Sequence, residues 1–192
     1  MSTLSVGVIE GNGSEWSLLT SGTVSSDISV DVSAYTQTGK WDAIKFVCTN
    51  MTFSTDSVTC NLTFSNAGLA MATNYKWFKT TIFSNTTTNA DATDSQSNSD
   101  TDVEIATGIA NDGAINNAVE IVFFETDVQT SFRGGVSRFT QEDNAAAPPV
   151  GFFLTSFRND SVATGHLTNI ALAPSSGTID GGNYRVYGRY KY

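Results

Sequence analysis

The stretch Asp27-Ile28-Ser29-Val30-Asp31-Val32 alternates polar and apolar residues without a break. On an extended chain, a period of two puts Ile28, Val30 and Val32 on one face and Asp27, Ser29 and Asp31 on the other. The same period recurs on both sides of the middle of the chain. Asp102-Val103-Glu104-Ile105 repeats it, Ile44, Phe46 and Cys48 share one face of another run, and Cys60, Leu62 and Phe64 share one face of a fourth. Further apolar runs of strand length lie at Trp77–Phe83, Val119–Phe124, Gly151–Phe157 and Tyr184–Tyr190. Turn signals stand between them: Gly11-Asn12-Gly13, Asn111-Asp112-Gly113, Gly134-Gly135, Ser175-Ser176-Gly177 and Asp180-Gly181-Gly182. No helical period of useful length occurs, and Ala67–Met71 is at most one short turn. Many short strands punctuated in this way predict an all-β fold, a single antiparallel β-sandwich over residues 1–192.

Two polar stretches interrupt the strand pattern. Ser84–Thr101 is nearly free of large apolar residues, and Gln141–Pro149 ends in Ala145-Ala146-Ala147-Pro148-Pro149. Both read as long surface loops, at about 84–101 and 141–149, within one domain.

Composition narrows the function classes. The 192 residues carry 10 Lys and Arg against 19 Asp and Glu, a formal net charge of −9. Binding to nucleic acid draws much of its affinity from cations meeting phosphates, so this balance predicts no nucleic-acid partner, and it disfavours an anionic membrane surface as well. No window approaches the roughly 18 apolar residues of a membrane-spanning helix. The start, Met1-Ser2-Thr3-Leu4-Ser5, lacks the basic and apolar regions of a signal peptide. Ser and Thr number 22 and 26, too many for a helical bundle, while 40% hydrophobic residues are too many for a disordered chain.

Motifs for chemistry are missing. His166 is the single histidine, in Ala163-Thr164-Gly165-His166-Leu167, and no Gly-x-Ser-x-Gly elbow occurs, so a Ser-His-Asp triad has no support. Neither a dinucleotide-binding nor a phosphate-binding glycine loop is present. Nineteen carboxylates leave a glycosidase pair open in principle, but nothing selects two of them. The reading is therefore not an enzyme, with no cofactor. A hairpin centred on Ser54 would set Cys48 opposite Cys60 and Phe46 opposite Leu62. The two cysteines then read as buried thiols, with a cross-strand disulfide as the alternative and metal binding remote for want of a third soft ligand. Asp100, Asp102 and Glu104 would project from one strand face. A solvated acidic face is the plain reading, and a Ca²⁺ site is the other.

Aromatic and basic residues suggest contacts. Trp16, Trp41, Tyr75, Trp77 and Phe78 are candidates either for the core or for a sugar-stacking platform. The tail Tyr184-Arg185-Val186-Tyr187-Gly188-Arg189-Tyr190-Lys191-Tyr192 holds three of the ten cations. Strand geometry places Tyr184, Val186 and Tyr190 on one face and Arg185, Tyr187, Arg189 and Lys191 on the other. Tyr and Arg are favoured at protein interfaces, so this tail reads as a docking strand or as an edge strand kept soluble by its charges.

Two segments resemble a known group. Leu167-Thr168-Asn169-Ile170-Ala171-Leu172 followed by Ser176-Gly177-Thr178-Ile179-Asp180-Gly181-Gly182-Asn183-Tyr184-Arg185-Val186-Tyr187-Gly188 resembles the closing hairpin of tailed-phage virion proteins. Lys40-Trp41-Asp42-Ala43-Ile44-Lys45-Phe46, ending at Ser65-Asn66-Ala67-Gly68 and Tyr75, is similar to their opening hairpin. The last strand departs from that pattern by continuing past Gly188 with Arg189-Tyr190-Lys191-Tyr192. The resemblance implies a jelly-roll type of sandwich in a structural virion protein of capsid decoration, tail or fibre type. It implies a location on the virion after assembly in the host cytoplasm. The expected role is a decoration (cement) subunit on the outer shell, bound to the major capsid protein or other virion subunits, as a homo-oligomer. The alternative is a tail or fibre subunit that binds host-surface glycan. Interface candidates are Leu4, Val6, Tyr184, Arg185, Tyr187, Arg189, Tyr190, Lys191 and Tyr192.

Overall fold

A computed structural model describes residues 16–66, 69–70, 73–84, 91–111, 117–124, 126, 133–141, 150–160 and 165–191. The elements in chain order are β1 (Trp16–Val24), β2 (Ile28–Asp31), a one-turn α1 (Ser33–Thr36), β3 (Trp41–Phe53), β4 (Val58–Asn66), β5 (Leu69–Ala70), β6 (Tyr75–Ser84), β7 (Asp91–Asp100), β8 (Val103–Ile109), β9 (Asn117–Phe124), β10 (Arg133–Gln141), β11 (Val150–Asn159), β12 (Leu167–Pro174) and β13 (Ile179–Tyr190). They form two antiparallel sheets. The larger runs β1-β13-β3-β9-β10-β11-β6-β7, and the smaller runs β2-β12-β4-β5, with β8 also paired to β4. The chain crosses from one sheet to the other at β1→β2, β2→β3, β3→β4, β5→β6, β7→β8, β8→β9, β11→β12 and β12→β13, so that both sheets are built from all parts of the chain.

Alternation produces the core. In β3 the buried residues include Ile44, Phe46 and Cys48, in β4 Val58, Cys60, Leu62 and Phe64, and in β9 Val119, Ile121 and Phe123. Each sheet turns its apolar face inward, and the faces meet in one buried cluster. At its centre Phe64 of the small sheet meets three rings of the large one. Its ring centroid lies 5.1 Å from Tyr75, 5.3 Å from Phe123 and 5.9 Å from Phe157, with the Tyr75 and Phe123 contacts edge-on. Edge-on geometry sets the positive rim of one ring against the negative face of the next.

Tyr75 does more than pack. Strand β4 has partners in β8 from Val58 to Leu62 and in β5 at Ser65 and Asn66, which leaves a gap at Phe64 on that side. The Tyr75 hydroxyl fills it, accepting from the Phe64 N–H and donating to the Phe64 carbonyl, both at 3.1 Å. One phenol thus replaces a missing strand neighbour and bolts the large sheet to the small one.

Several sequence expectations are corrected. The supposed loop at 84–101 contains β7, ten residues paired with β6, in register from Trp77↔Ser97 to Phe83↔Asp91 and shifted by one at Tyr75↔Asp100. An edge strand of the large sheet needs no strongly apolar inner row, so its polar composition hid it. Of the second loop, Gln141 closes β10, and 142–149 lie outside the described residues. Gly134-Gly135 is not a turn but the start of β10. A Cβ on Gly135 would sit 2.1 Å from the Val122 carbonyl and one on Gly134 2.6 Å from the Phe157 carbonyl, so close strand approach demands glycine. Asp180-Gly181-Gly182 likewise lies within β13, where the pairing to β3 shifts register. Cys48 and Cys60 do not face each other across a hairpin. β3 and β4 belong to different sheets, with Cys48 paired to Val119 and Tyr184 and Cys60 to Pro174 and Ala106. Both thiols are free and buried.

Replacing Tyr75 by Phe keeps the ring and orphans both Phe64 groups. At ~1–3 kcal/mol per buried unsatisfied polar group, Tyr75→Phe is expected to lose stability of that order in urea denaturation. An unchanged midpoint would show that the hydroxyl bridge is not structural.

Candidate interaction surface

The outward side of the large sheet is the surface that the core leaves free. Each strand of the large sheet sends its other residues outward, and the register orders them into rows. One row reads Leu18, Tyr187, Lys45, Val122, Val136, Ser156, Phe78 and Gln96 from edge to edge; the next reads Arg185, Val47, Glu120, Arg138, Leu154, Thr80 and Asp94. Phe78, Ile82, Phe124 and Leu154 are exposed large apolar side chains on this face. Six of the ten cations, Lys45, Lys76, Arg138, Arg158, Arg185 and Arg189, stand on it too. A chain of net charge −9 thus gathers most of its positive charge on one side of one sheet.

Charge neutralisation on this face is partial. Arg189 holds Asp42 in a bidentate pair, with Nε at 2.9 Å and Nη2 at 3.1 Å. Lys76 and Arg158 share Asp160, at 2.6 and 2.8 Å. These neighbours hold the Asp160 carboxyl below its ordinary value, Lys76 first. Lys45, Arg138 and Arg185 make no ion pair among the described residues. Lys45 instead lies 4.7 Å over the Trp16 ring and 5.4 Å over Tyr187.

The interface candidates divide. Arg185, Tyr187 and Arg189 point outward on this face, as the alternation predicts, and Lys191 is exposed just past the strand. Tyr184 and Tyr190 turn toward the core. Tyr184 stacks on Phe46 at 6.1 Å, and Tyr190 meets Trp41 at 4.4 Å under the Lys40 ammonium. Leu4, Val6 and Tyr192 lie outside the described residues. β13 is not an edge strand, because β1 covers one side and β3 the other. From Asn183 to Arg189 its backbone is paired on both sides, so there its outward side chains are what a partner could meet.

The aromatic platform does not assemble. Tyr75, Trp41 and Trp77 are buried, and Trp16 is half-buried at the far edge from Phe78. A shallow groove of about 400 Å³ does lie across β11, β6 and β7, lined by Lys76, Phe78, Gln96, Asn98, Ser156 and Arg158 among others. Phe78 lines it from β6, with Ser156 and Gln96 directly opposite on the two flanking strands. His166 is half-buried at the approach to β12.

Acidic and buried polar groups sit elsewhere. Asp100 ends β7 while Glu104 belongs to β8, so the three acids do not share one strand face. No cluster of three or more metal-ligating side chains occurs among the described residues. Burial, then the neighbouring Asp100, pushes the Asp102 carboxyl up. Glu104 pairs with Lys79, a lysine turned into the core and hidden from solvent. Lys79, Thr155 and Ser137 face one another across three strands, and the two hydroxyls meet no hydrogen-bond partner among the described residues. Trp77–Phe83 reads as apolar in sequence, and nothing in it announces an inward lysine. Burial pushes the Cys48 thiol up to about 12 and that of Cys60 higher still, which makes both poor nucleophiles.

Comparison with known proteins adds little. No protein-family model matches the chain, and no curated protein matches it either. Among solved structures, the CBM2 module of an evolved Dit protein from Lactobacillus casei BL23 phage J-1 is similar at 12% identity, covering 90% of this chain and 70% of that one with a TM-score of 0.25. A superposition at that level does not establish a shared fold and assigns this chain no ligand.

Two outcomes follow from the titrating groups. The folded protein holds the Asp102 proton more tightly than the unfolded chain does, so ionisation costs stability as pH rises through and above the ordinary value of 3.8. Asp102→Asn is expected to raise the melting temperature at pH 7, with the gain vanishing below the ordinary carboxylate range; a lower melting temperature at pH 7 would contradict the burial account. Neither cysteine is expected to react with a thiol reagent at pH 8 until denaturant is added, and rapid labelling of the native protein would place a thiol at the surface.

Proposed function

We propose that this chain is a structural virion protein of a tailed phage, a decoration (cement) subunit that adheres to the outer shell through the outward face of its large sheet. The carrying observation is the concentration of six cations and several exposed apolar side chains on one face of an acidic chain. Apolar groups supply association energy, and cations select a neighbour whose surface carries carboxylates. The resemblance of β3 and of β12–β13 to virion hairpins gives the setting. The partner in this reading is the major capsid protein or another virion subunit, and the role is mechanical, with no reaction in it. A two-sheet core backs the face, and burial of that face across shell subunits stabilises the particle.

A second reading rests on the groove at Phe78. An exposed ring flanked by Ser156, Gln96 and Asn98 suits the apolar face and hydroxyls of a sugar, which would place the chain in a tail or fibre that binds host-surface glycan.

Particles lacking the protein, reloaded with purified chain, separate these readings. Wild type is expected to bind and to be released by salt. Arg138→Glu with Arg185→Glu is expected to weaken binding by about tenfold or more, since each change inverts a charge aimed at the partner. Equal occupancy of wild type and variant would reject the face. Loss of binding with Phe78→Ala alone, together with retention on immobilised host glycan by wild type, would favour the second reading.

A further inference from the structure

Open sheet edges differ sharply in how they are protected. A terminal strand presents unpaired N–H and C=O groups, and proteins that stay single blunt such edges with charge, proline, bulges or shortness. Among the described residues the large sheet ends at β7 and β1, and the small sheet at β2 on one side. β7 carries Asp91, Asp94 and Asp100. β2 is four residues long and ends in Asp31. β1, Trp-Ser-Leu-Leu-Thr-Ser-Gly-Thr-Val over Trp16–Val24, has nine residues with no charge and no proline, its one irregularity being a register shift against β13 between Leu18 and Thr20. It also carries Leu18, at 57% the most exposed large apolar side chain described.

We infer that β1 is a pairing edge whose occupant is β1 of a second copy, joined antiparallel about a two-fold axis near Thr20. An isologous antiparallel pair needs a strand compatible with itself, and an uncharged one meets that condition without opposing like charges. The location also suits a chain of net charge −9. β1 itself carries no carboxylate, the Asp42 carboxylate nearby is paired with Arg189, and Lys45 lies 4.7 Å over the Trp16 ring. General acidity therefore weighs least where the copies approach. The hydrogen bonds supply affinity, and Leu18 from each copy adds apolar contact beside the seam. The two large sheets become one continuous sheet of sixteen strands, with both outward faces on the same side. This inference stands apart from the virion reading, because the dimer forms in solution with no particle present.

Light scattering on the size-separated protein tests it. The expected mass is twice the chain's 20.5 kDa. Leu18→Lys with Ser21→Lys is expected to give a single-chain mass with an unchanged circular-dichroism spectrum. Thr20→Cys supplies a second arm. Opposed antiparallel residues have Cα atoms roughly 4.5–5.5 Å apart, within disulfide range, so mild oxidation is expected to link two chains on a non-reducing gel. Thr140→Cys, exposed on β10, is expected not to link them. Wild type at single-chain mass at all attainable concentrations overturns the inference. So does a dimer untouched by the two lysines, or a Thr20→Cys protein that never cross-links.

Discussion

Contact between the two sheets at Phe64 is the constraint from which the rest follows. Phe64 belongs to the smaller sheet and packs on Tyr75, Phe123 and Phe157 of the larger. That contact fixes which side of each strand faces inward, since a slip of one residue would turn every core side chain to solvent. The Tyr75 hydroxyl makes the same decision in hydrogen bonds, because it matches only the Phe64 backbone in the gap between β5 and β8. Side chains that the core rejects then have one place to go.

That place is the outward face, and its composition is not what solubility alone would select. Val122, Val136, Leu154 and Phe78 run through its middle, with Lys45, Arg138 and Arg185 among them. The buried position of β13 gives its residues a particular standing. Arg185, Tyr187 and Arg189 are presented by a strand held on both sides, so their backbone is rigid and only their side chains are available. A face built this way has little backbone entropy left to freeze when a partner docks, and the cost that remains is the ordering of its Arg and Lys side chains.

Alternation made much of this legible from sequence. Ile28–Val32, Ile44–Cys48, Cys60–Phe64 and Val119–Phe124 announce their strands because one face is apolar and the other is not, and the inward and outward sides of Tyr184–Arg189 follow by the same rule. Strands that lack this contrast escaped. β1 and β7 lie at sheet edges, where burial is partial and Ser and Thr suffice. β10 opens on Gly134-Gly135, which imitates a turn until the approach of Val122 and Phe157 explains it. Pairing partners were not legible either. A hairpin between β3 and β4 is locally reasonable, yet the chain changes sheets at Ser54, and local spacing carries no information about that. The inward lysine at 79 depends on Glu104 from a distant strand, which no window of sequence around Trp77–Phe83 contains.

The claim at the centre is that this sandwich acts by laying the outward face of its large sheet on a neighbouring subunit. An electron cryo-microscopy map of intact particles tests it most directly. The account predicts density for the two-sheet sandwich with Lys45, Arg138 and Leu154 against an adjacent subunit and the smaller sheet away from it. Density in which that face looks into solvent, while another surface makes the contact, would contradict it.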